Sequence, residues 1–383
     1  MNLKLSNTIK GMLLFLACLA TAGCGQEDMP TPDTPDDSRP QVVLTFSASP
    51  GLTTRTQLPG PEYLQHVQTM HLYIFNGTDD DAPCVAYEKV DWEDVKAPAN
   101  GANTVSKNHK VQYGGFEVGK PYTFIAVGLD DRSGATYNLP DAVIVGQTKL
   151  ATAKAVLDIA NSKTREDIAV SELFGGSLML TPVAAGQLTG TIELKRRVAG
   201  VFGYFKNIPQ QVKEKKVASL RIELYKPQNK SIWLTAKPTK DEDVIMDPIA
   251  NTDDNKILVE IPLTPENTII DKVISKGSYV LPMKAPTEPN DKYTLQVTLV
   301  AEDGTTLQSR KVKYKLDDKI SDTSGGTGII TVTKDLYRFA INANWFYQIG
   351  SPEKPVIWPE EEDGNIVIEV VPDWDWSGEL EWQ

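Results

Sequence analysis

The chain has 383 residues, of which 51 are acidic and 39 basic, and its formal net charge at pH 7 is −12. An acidic chain lacks the basic footprint that nucleic acids require, so we exclude nucleic acid as a partner. About 340 residues follow the N-terminal segments described below, which is enough for two domains by the usual length prior.

The first 23 residues have the pattern of an export signal. Two lysines precede an apolar run at residues 12–20, and the small residues Ala22 and Gly23 stand directly before Cys24. A membrane-spanning helix needs roughly 20 apolar residues, so this run is too short to span. We therefore predict a cleaved signal peptide at residues 1–23.

Small residues before a cysteine resemble the bacterial lipobox, in which the cysteine is acylated and becomes the mature first residue. Thr21 stands where the lipobox usually has Leu. The alternatives are acylation at Cys18 instead of Cys24, or an ordinary secretory signal in which the cysteine has no role. Acyl chains on Cys24 would hold a soluble body at a membrane, with about 0.8 kcal/mol gained per buried CH₂. Only Cys84 would then remain as a thiol, so no internal disulfide is expected.

Residues 24–40 are predicted to form an acidic, proline-rich tether, because they carry almost no apolar side chains to bury. Within the tether, Gln26-Glu27-Asp28 resembles the acidic tag that directs lipoproteins of some Gram-negative anaerobes to the cell surface. A plain solvated linker is the alternative. We predict a protein anchored by lipid in the outer membrane and exposed at the surface.

From Gln41 onward, short β-type runs separated by turn residues indicate a mostly β fold. We predict a first β-sandwich domain at residues 41–187 that opens with the strand QVVLTFSA at 41–48. The run YTFIAVG at 122–128 is apolar on both sides, as in a strand that is buried on both faces. One passage, KLATAKAVLDIAN at 149–161, predicts a helical insertion in this domain because apolar residues recur at three- and four-residue spacing.

The second half is predicted to form a second β-sandwich domain at residues 188–383, after a hinge near 180–190. Its runs SLRIELYKP, YTLQVTLVAEDG and NIVIEVVPDW alternate apolar and polar side chains. This alternation predicts sheets with one wet face, and short strands between turns are typical of β-sandwiches.

Two motifs approach ligand-binding patterns without completing them. GGFEVGKP at 114–121 is close to a phosphate-binding loop, but Pro121 offers neither a hydroxyl nor an N–H, so we interpret it as a turn between strands. DWDWSGELEW at 373–382 begins like a calcium loop but ends before the position of the bidentate glutamate. Acidic clusters at 79–81, 130–131 and 253–254 are interpreted as turns. We predict no cofactor and no metal.

The residues of common catalytic centres are sparse. His66, His71 and His109 lack metal-ligand spacing, and His71 is predicted on the outer face of a strand. Cys84 has no C-x-x-C partner and is predicted to pack in the interior. We therefore predict a protein that is not an enzyme. A glycosidase built from two carboxylates that are distant in sequence is the remaining enzymatic alternative.

Tryptophans are concentrated near the C-terminus, at Trp345, Trp358, Trp374, Trp376 and Trp382. Trp374 and Trp376 lie on the same side of an extended segment, where they could stack on a sugar or dock a protein. Packing at the end of a sandwich core is the alternative of similar weight.

These features, in this order along the chain, resemble the fimbrillin-like lipoproteins of Gram-negative anaerobes, especially their fimbrial anchor and accessory subunits. The resemblance rests on the lipobox and tether and on VQTMHLYIFNGTDD, GKPYTFIAVGL, LTGTIELKRRVAGVFGYFKNIP and YRFAINANWFYQIGSP. It implies two transthyretin-like β-sandwich domains in tandem and assembly by strand exchange. In polymerising members a trypsin-like protease removes the first strand, whereas anchor members keep their lipid and that strand.

On the matching positions, Arg39 ends the tether and Arg55 follows the first strand, so both are candidate processing sites. The terminal segment is the candidate partner-docking strand, with Ile366, Ile368, Val370, Trp374 and Trp376. We predict a lipid-anchored fimbrial subunit that contacts other fimbrial subunits and supports cell adhesion. The alternative is a surface lipoprotein that binds glycans through its C-terminal tryptophans.

Overall fold

The computed structural model describes residues 40–48, 67–92, 105–130, 136–158, 165–183, 186–235, 244–250, 252, 254–314, 337–358 and 366–371. The chain divides into two compact units, Met1–Asp37 and Ser38–Gln383, and every described residue belongs to the second unit. The described residues are mostly in β-strands.

A first sheet is built from the N-terminal half. Its strands, together with β6 from the same half, are β1 (Pro40–Ala48), β2 (Thr69–Phe75), β3 (Cys84–Val90), β4 (Val105–Lys110), β5 (Tyr122–Leu129), β6 (Lys154–Val156), β7 (Leu173–Leu180) and β8 (Gly186–Arg196). The order in the sheet is β3-β2-β5-β7-β8-β1-β4, and β6 lies outside it.

This sheet folds over on itself at the corner between β7 and β8. The two strands pair only at Phe174 with Arg196 and at Gly175 with Lys195. Beyond that corner, β8-β1-β4 forms one layer and β3-β2-β5-β7 the other. Their apolar side chains meet in one core, which includes Val42, Leu44, Phe46, Leu72, Ile74, Phe124 and Ile192. The first half is therefore a β-sandwich.

Close packing at this corner depends on Gly176 in β7. A Cβ at this position would overlap the backbone oxygen of Glu193 and the side chain of Ile192. We expect Gly176→Ala to lower the free energy of unfolding by about 1–3 kcal/mol, because the β8 backbone must move away. Urea unfolding measures the change. Gly114→Ala is the control, since its Cβ would meet nothing within 4 Å. Equal midpoints for both variants would contradict the close approach.

A second sheet is built from the C-terminal half. Its strands, together with β12, are β9 (Ala199–Lys206), β10 (Gln211–Val212), β11 (Lys215–Leu224), β12 (Ser231–Trp233), β13 (Ile257–Pro262), β14 (Val273–Val280), β15 (Leu295–Ala301), β16 (Thr306–Tyr314), β17 (Phe346–Ile349), β18 (Val356–Ile357) and β19 (Ile366–Val371). The main order is β10-β11-β15-β16-β19-β17-β9-β14, with β13 on β11 and β18 on β9. The predicted alternation in β11 and β15 is confirmed, because Leu220, Ile222, Leu224, Leu295, Val297 and Leu299 are all buried in one core.

The polar face of β15 is less exposed to solvent than predicted. Thr298 is fully buried, and its hydroxyl donates to the Glu223 carboxylate at 3.0 Å. Gln296 donates to the same oxygen at 2.8 Å. Neighbouring polar side chains therefore satisfy one another on this face, which the alternation of residue types does not reveal.

The two halves share an apolar cluster, which explains the two-sided burial predicted for β5. Phe124 packs into the first sandwich, whereas Ile125 and Val127 point into the shared cluster. The second half contributes Phe202, Tyr204, Tyr279 and Phe346 to that cluster. All eight residues of β5 are buried as a result. The mostly β, tandem-sandwich fold is thus confirmed.

The predicted helix at 149–161 was wrong. Leu150–Thr152 form a 3₁₀ turn, and Lys154–Val156 form β6, which pairs antiparallel with β12. The buried residues Ala153, Ala155 and Leu157 follow the two-residue period of a strand. The apolar residues of this passage fit both the helical period of 3.6 residues and the strand period of two. Pairing with β12 from the second half makes the passage a strand. A short α-helix, α1, follows at Arg165–Ala169.

The chain passes from the first sheet to the second between Arg196 and Ala199. The predicted boundary at 187/188 falls within β8, whose partners β1 and β7 both belong to the first sheet. The division into two domains at that position stays a prediction.

Candidate functional site

The first strand after the tether, β1, is an inner strand of the first sandwich. All nine of its residues pair in parallel with β8, from Pro40 opposite Gly186 to Ala48 opposite Leu194. On its other edge, Val43 to Ala48 pair antiparallel with β4. The N-terminal strand of the fold is therefore held on both edges by main-chain hydrogen bonds.

Side chains on alternate positions of β1 fill the core of the sandwich. Val42, Leu44 and Phe46 are fully buried, and Ala48 nearly so. Burying a side chain of this size contributes about 1.5–3 kcal/mol. On the opposite face, the Thr45 hydroxyl donates to the Asn108 amide oxygen of β4 at 2.8 Å. Taking β1 out would leave a long apolar slot between β8 and β4.

The strand β4 is at the edge of its layer and is tied to β3 in the facing layer. His109 Nε2 on β4 lies 2.7 Å from Glu88 Oε2 on β3. The other Glu88 oxygen accepts the backbone N–H groups of Gln112 and Tyr113, each at 2.9 Å. Lys107 adds an ion pair to Asp91 at 3.1 Å. These contacts close the open side of the sandwich next to β1.

The electrostatics of Glu88 favour its charged form. Burial raises the pKa of this carboxyl, but the hydrogen bonds from His109, Gln112 and Tyr113 and the attraction to His109 outweigh it. The net pKa of Glu88 lies below its usual 4.5. Glu88 is therefore a carboxylate at neutral pH and accepts three hydrogen bonds.

A buried ion pair lies at the corner between the layers of the first sandwich. Glu172, directly before β7, is fully buried, and Arg196 at the end of β8 is 4% exposed. Arg196 Nε donates to Glu172 Oε1, and its guanidinium lies 5.3 Å from the centroid of the Phe174 ring. Burial, and then the charge of Glu172, raise the pKa of the neighbouring Tyr137. The pair fixes the point where the first sheet turns over.

The candidate docking strand at the C-terminus is β19, an inner strand of the second sheet. It pairs in parallel with β16 and antiparallel with β17. Ile366 is 2% exposed, Ile368 is fully buried and Val370 is partly buried against the same core. These side chains would have to leave their own sheet to dock on a partner. Trp374 and Trp376 lie outside the described residues.

Four of the remaining candidate residues lie outside the part of the chain that the structure describes: Cys24, Arg39, Arg55 and His66. Cys84 is buried in the shared cluster, as predicted, and burial raises the pKa of its thiol to about 11. His71 is not on an outer face as predicted. It is buried, with its Nδ1 2.9 Å from the Tyr87 hydroxyl, because the shared cluster covers this face of β2.

Two of the five C-terminal tryptophans lie in the described residues, and both pack inside the fold. Trp358 is buried, and its indole N–H donates to Gln308 Oε1 at 2.7 Å. Trp345 packs on the core of the second sheet beside Tyr347. For these two residues, the core interpretation holds.

The described residues contain no group of three or more His, Cys, Asp or Glu side chains placed to hold a metal ion. GGFEVGKP connects β4 to β5, as predicted for a turn between strands. In the part of the chain that the structure describes, no helix is both long and apolar enough to cross a membrane.

Sequence reasoning missed Glu88, Glu172 and Arg196. Each pairs with a residue more than twenty positions away, and the pairs form only because the first sheet folds into two layers. The one available signal was a charged residue within an otherwise buried stretch, as with Glu172 in SELFGG.

Comparison with known proteins identifies the family. The family model of the fimbrillin-A-associated anchor proteins Mfa1 and Mfa2 matches residues 35–331. No curated protein matches the chain.

Three solved structures illustrate the similarity, all from Porphyromonas gingivalis. The fimbrial anchor protein Mfa2 is 14% identical, with a TM-score of 0.42 over 86% of this chain and 96% of that one. A fimbrilin is 13% identical, with a TM-score of 0.44 over 89% and 99%. The tip fimbrial protein Mfa3 is 12% identical, with a TM-score of 0.35 over 87% and 99%. Because the family model covers well over half of the sequence, the chain belongs to the family of fimbrillin-A-associated anchor proteins.

Proposed function

We propose that this chain is a lipid-anchored fimbrial subunit of the anchor or accessory type, which joins a fimbria to the outer membrane and supports cell adhesion. The family match over residues 35–331 carries the proposal. It includes β1 and the end of the tether. Lipid anchoring is proposed from the lipobox pattern before Cys24, which precedes the matched residues. The partners are other fimbrial subunits. The role is structural, in keeping with the family, and not catalytic.

The proposed contact between subunits is strand exchange at β1. The position of β1 supports this, because it is an inner strand whose buried side chains alternate with outward ones. A strand added from another subunit would take its affinity from main-chain hydrogen bonds and its selectivity from alternate side-chain pockets. The slot left by β1 would offer both.

The two candidate processing sites would have different consequences. A cut after Arg39 would release the lipid and leave β1 in place. A cut after Arg55 would separate β1 from the rest of the chain, which would then hold it by non-covalent contacts alone. An anchor subunit is expected to avoid both cuts, so that the lipid, the tether and β1 stay in one chain.

Lipid anchoring is tested by Cys24→Ser in the native host. We expect the wild-type chain in the outer-membrane fraction with a palmitate label, and the variant without label and lost from that fraction, because its acyl chains supply the membrane affinity. Cys84→Ser is the matched control. Cys84 is buried in the described fold, so this variant should keep both label and location. An unlabelled wild-type chain, or equal labelling of wild type and Cys24→Ser, would overturn anchoring at Cys24.

A further inference from the structure

The strand β4 covers one edge of β1 from Val43 to Ala48 but has little support of its own. In the sheet order it is terminal, with β1 as its neighbour. Three of its six residues are exposed. An edge strand held on one side by hydrogen bonds is among the first elements of a sandwich to open. Whether β4 stays in place depends on what holds it from the facing layer.

The support comes from four side chains, which we call the β3–β4 clasp: Glu88, Asp91, Lys107 and His109. The pair of Lys107 and Asp91 is weak, because the Asp91 side chain is 72% exposed. The Glu88 side chain is 11% exposed and uses both of its oxygens, one toward His109 and one toward the two backbone N–H groups after β4. Charge-assisted hydrogen bonds in such a site are roughly twice as strong as neutral ones. Glu88 is therefore the central member.

The clasp also reaches β1 directly. The segment that Glu88 binds begins just after Val111, whose N–H donates to the Val42 carbonyl of β1 at 2.9 Å. His109 lies opposite Leu44 in the pairing of β1 with β4, and its ring is 6.1 Å from the Phe46 ring. Opening the clasp would thus loosen β4 along the part of β1 that carries its largest buried side chains.

We propose that Glu88 is the positioning residue that holds β4 over β1 and thereby sets how readily β1 leaves its slot and another strand enters. The inference rests on the proposed function, since it concerns strand exchange at the same site. When the clasp is closed, β4 stays in place and β1 is retained, as an anchor subunit requires. When the clasp is open and β4 moves away, only β8 still holds β1, along one edge.

The test is hydrogen exchange on the mature chain purified in detergent. In Glu88→Gln, we expect amide exchange in β4 and β1 to be about tenfold faster than in wild type, since hydrogen bonds to a charged group are lost. A second readout is uptake of a biotinylated peptide with the sequence of residues 40–48. We expect the variant to take up the peptide faster by a similar factor.

Glu260→Gln is the matched control. It removes a half-buried carboxylate that pairs with Arg221 at 2.8 Å in the second sheet, whereas β1 belongs to the first sheet. Exchange in β1 and peptide uptake should be unchanged in this variant. His109→Gln keeps the contacts of Glu88 with Gln112 and Tyr113. It should therefore give a smaller increase, and it carries the test if Glu88→Gln does not fold.

Acid should open the clasp in wild type. Because the pKa of Glu88 is lowered, its contribution is present above about pH 4.5 and is lost as pH falls through the lower, folded-state value. The titratable group in contact with Glu88 is His109 on β4, and the backbone N–H groups of Gln112 and Tyr113 bind the other carboxylate oxygen. The ion pair of Lys107 on β4 with Asp91, which directly follows β3, lies farther along. Compared at each pH with Glu88→Gln, the excess protection of wild-type β4 should disappear below that range.

Faster exchange at Gln112 and Tyr113 with unchanged β1 exchange and unchanged peptide uptake would overturn the inference. Unchanged exchange at all these amides would overturn it too. None of these measurements depends on an acyl chain or a partner subunit. The clasp can therefore fail while anchoring at Cys24 stands, and anchoring can fail while the clasp stands.

Discussion

Replacing Glu172 by Gln is expected to lower the free energy of unfolding by about 3–5 kcal/mol. Glu172 and Arg196 are both buried and joined by a hydrogen bond from the guanidinium. With the carboxylate gone, the charge of Arg196 stays in an apolar corner without its counter-charge. That penalty, rather than the net value of the pair, makes the effect large.

Urea unfolding followed by tryptophan fluorescence measures this change. Asp81→Asn is the control, because it breaks an ion pair with Lys149 in which both side chains are largely exposed, and its midpoint should not move. The double variant Glu172→Leu/Arg196→Met should recover much of the loss, since no charge is left buried. A midpoint for Glu172→Gln equal to that of Asp81→Asn would contradict a buried pair at this corner.

A chain that begins at Thr56, and so lacks β1, is expected to be strongly destabilised. Val42, Leu44 and Phe46 together contribute about 5–9 kcal/mol of burial, which is comparable to the whole stability of an ordinary domain. Hydrogen bonds along both edges of the slot are lost as well. The truncated chain should unfold at a much lower temperature than the intact one, or aggregate through its open slot.

Adding the peptide of residues 40–48 should raise the melting temperature progressively, with the logarithm of the peptide concentration above its Kd, because the peptide binds only the folded chain. A peptide with Leu44→Asp and Phe46→Asp is the control and should not restore it, since charges cannot enter the apolar slot. Equal melting temperatures for the intact and truncated chains would contradict the account of β1 as the strand that completes the sandwich.

Much of the fold could be predicted from local patterns. The β-type run QVVLTFSA placed β1 correctly, and alternation of side chains placed β11 and β15 correctly, because the two-residue period of a strand shows within a few neighbouring residues. The apolar run of β5 indicated burial on both faces, although the element that covers its second face comes from the other half of the chain.

What could not be predicted depends on pairing between distant segments. The apolar spacing of residues 149–161 is compatible with a helix, but β6 forms there because it pairs with β12. His71 was predicted to be exposed, but the cluster shared with the second half of the chain covers its face of β2. The clasp of Glu88 and the pair of Glu172 with Arg196 form only after the first sheet has turned at β7 and β8. No spacing in the sequence encodes these contacts.

The most direct test of the account is affinity purification of the native protein from outer-membrane extracts, with mass spectrometry of its N-terminus and of the proteins that co-purify. The account predicts an acylated Cys24 at the N-terminus, β1 still joined to the chain, and other fimbrial subunits bound. An N-terminus at Thr56 would make the chain a cleaved, polymerising subunit. An acylated Cys24 without any fimbrial partner would contradict the proposed role in fimbrial assembly.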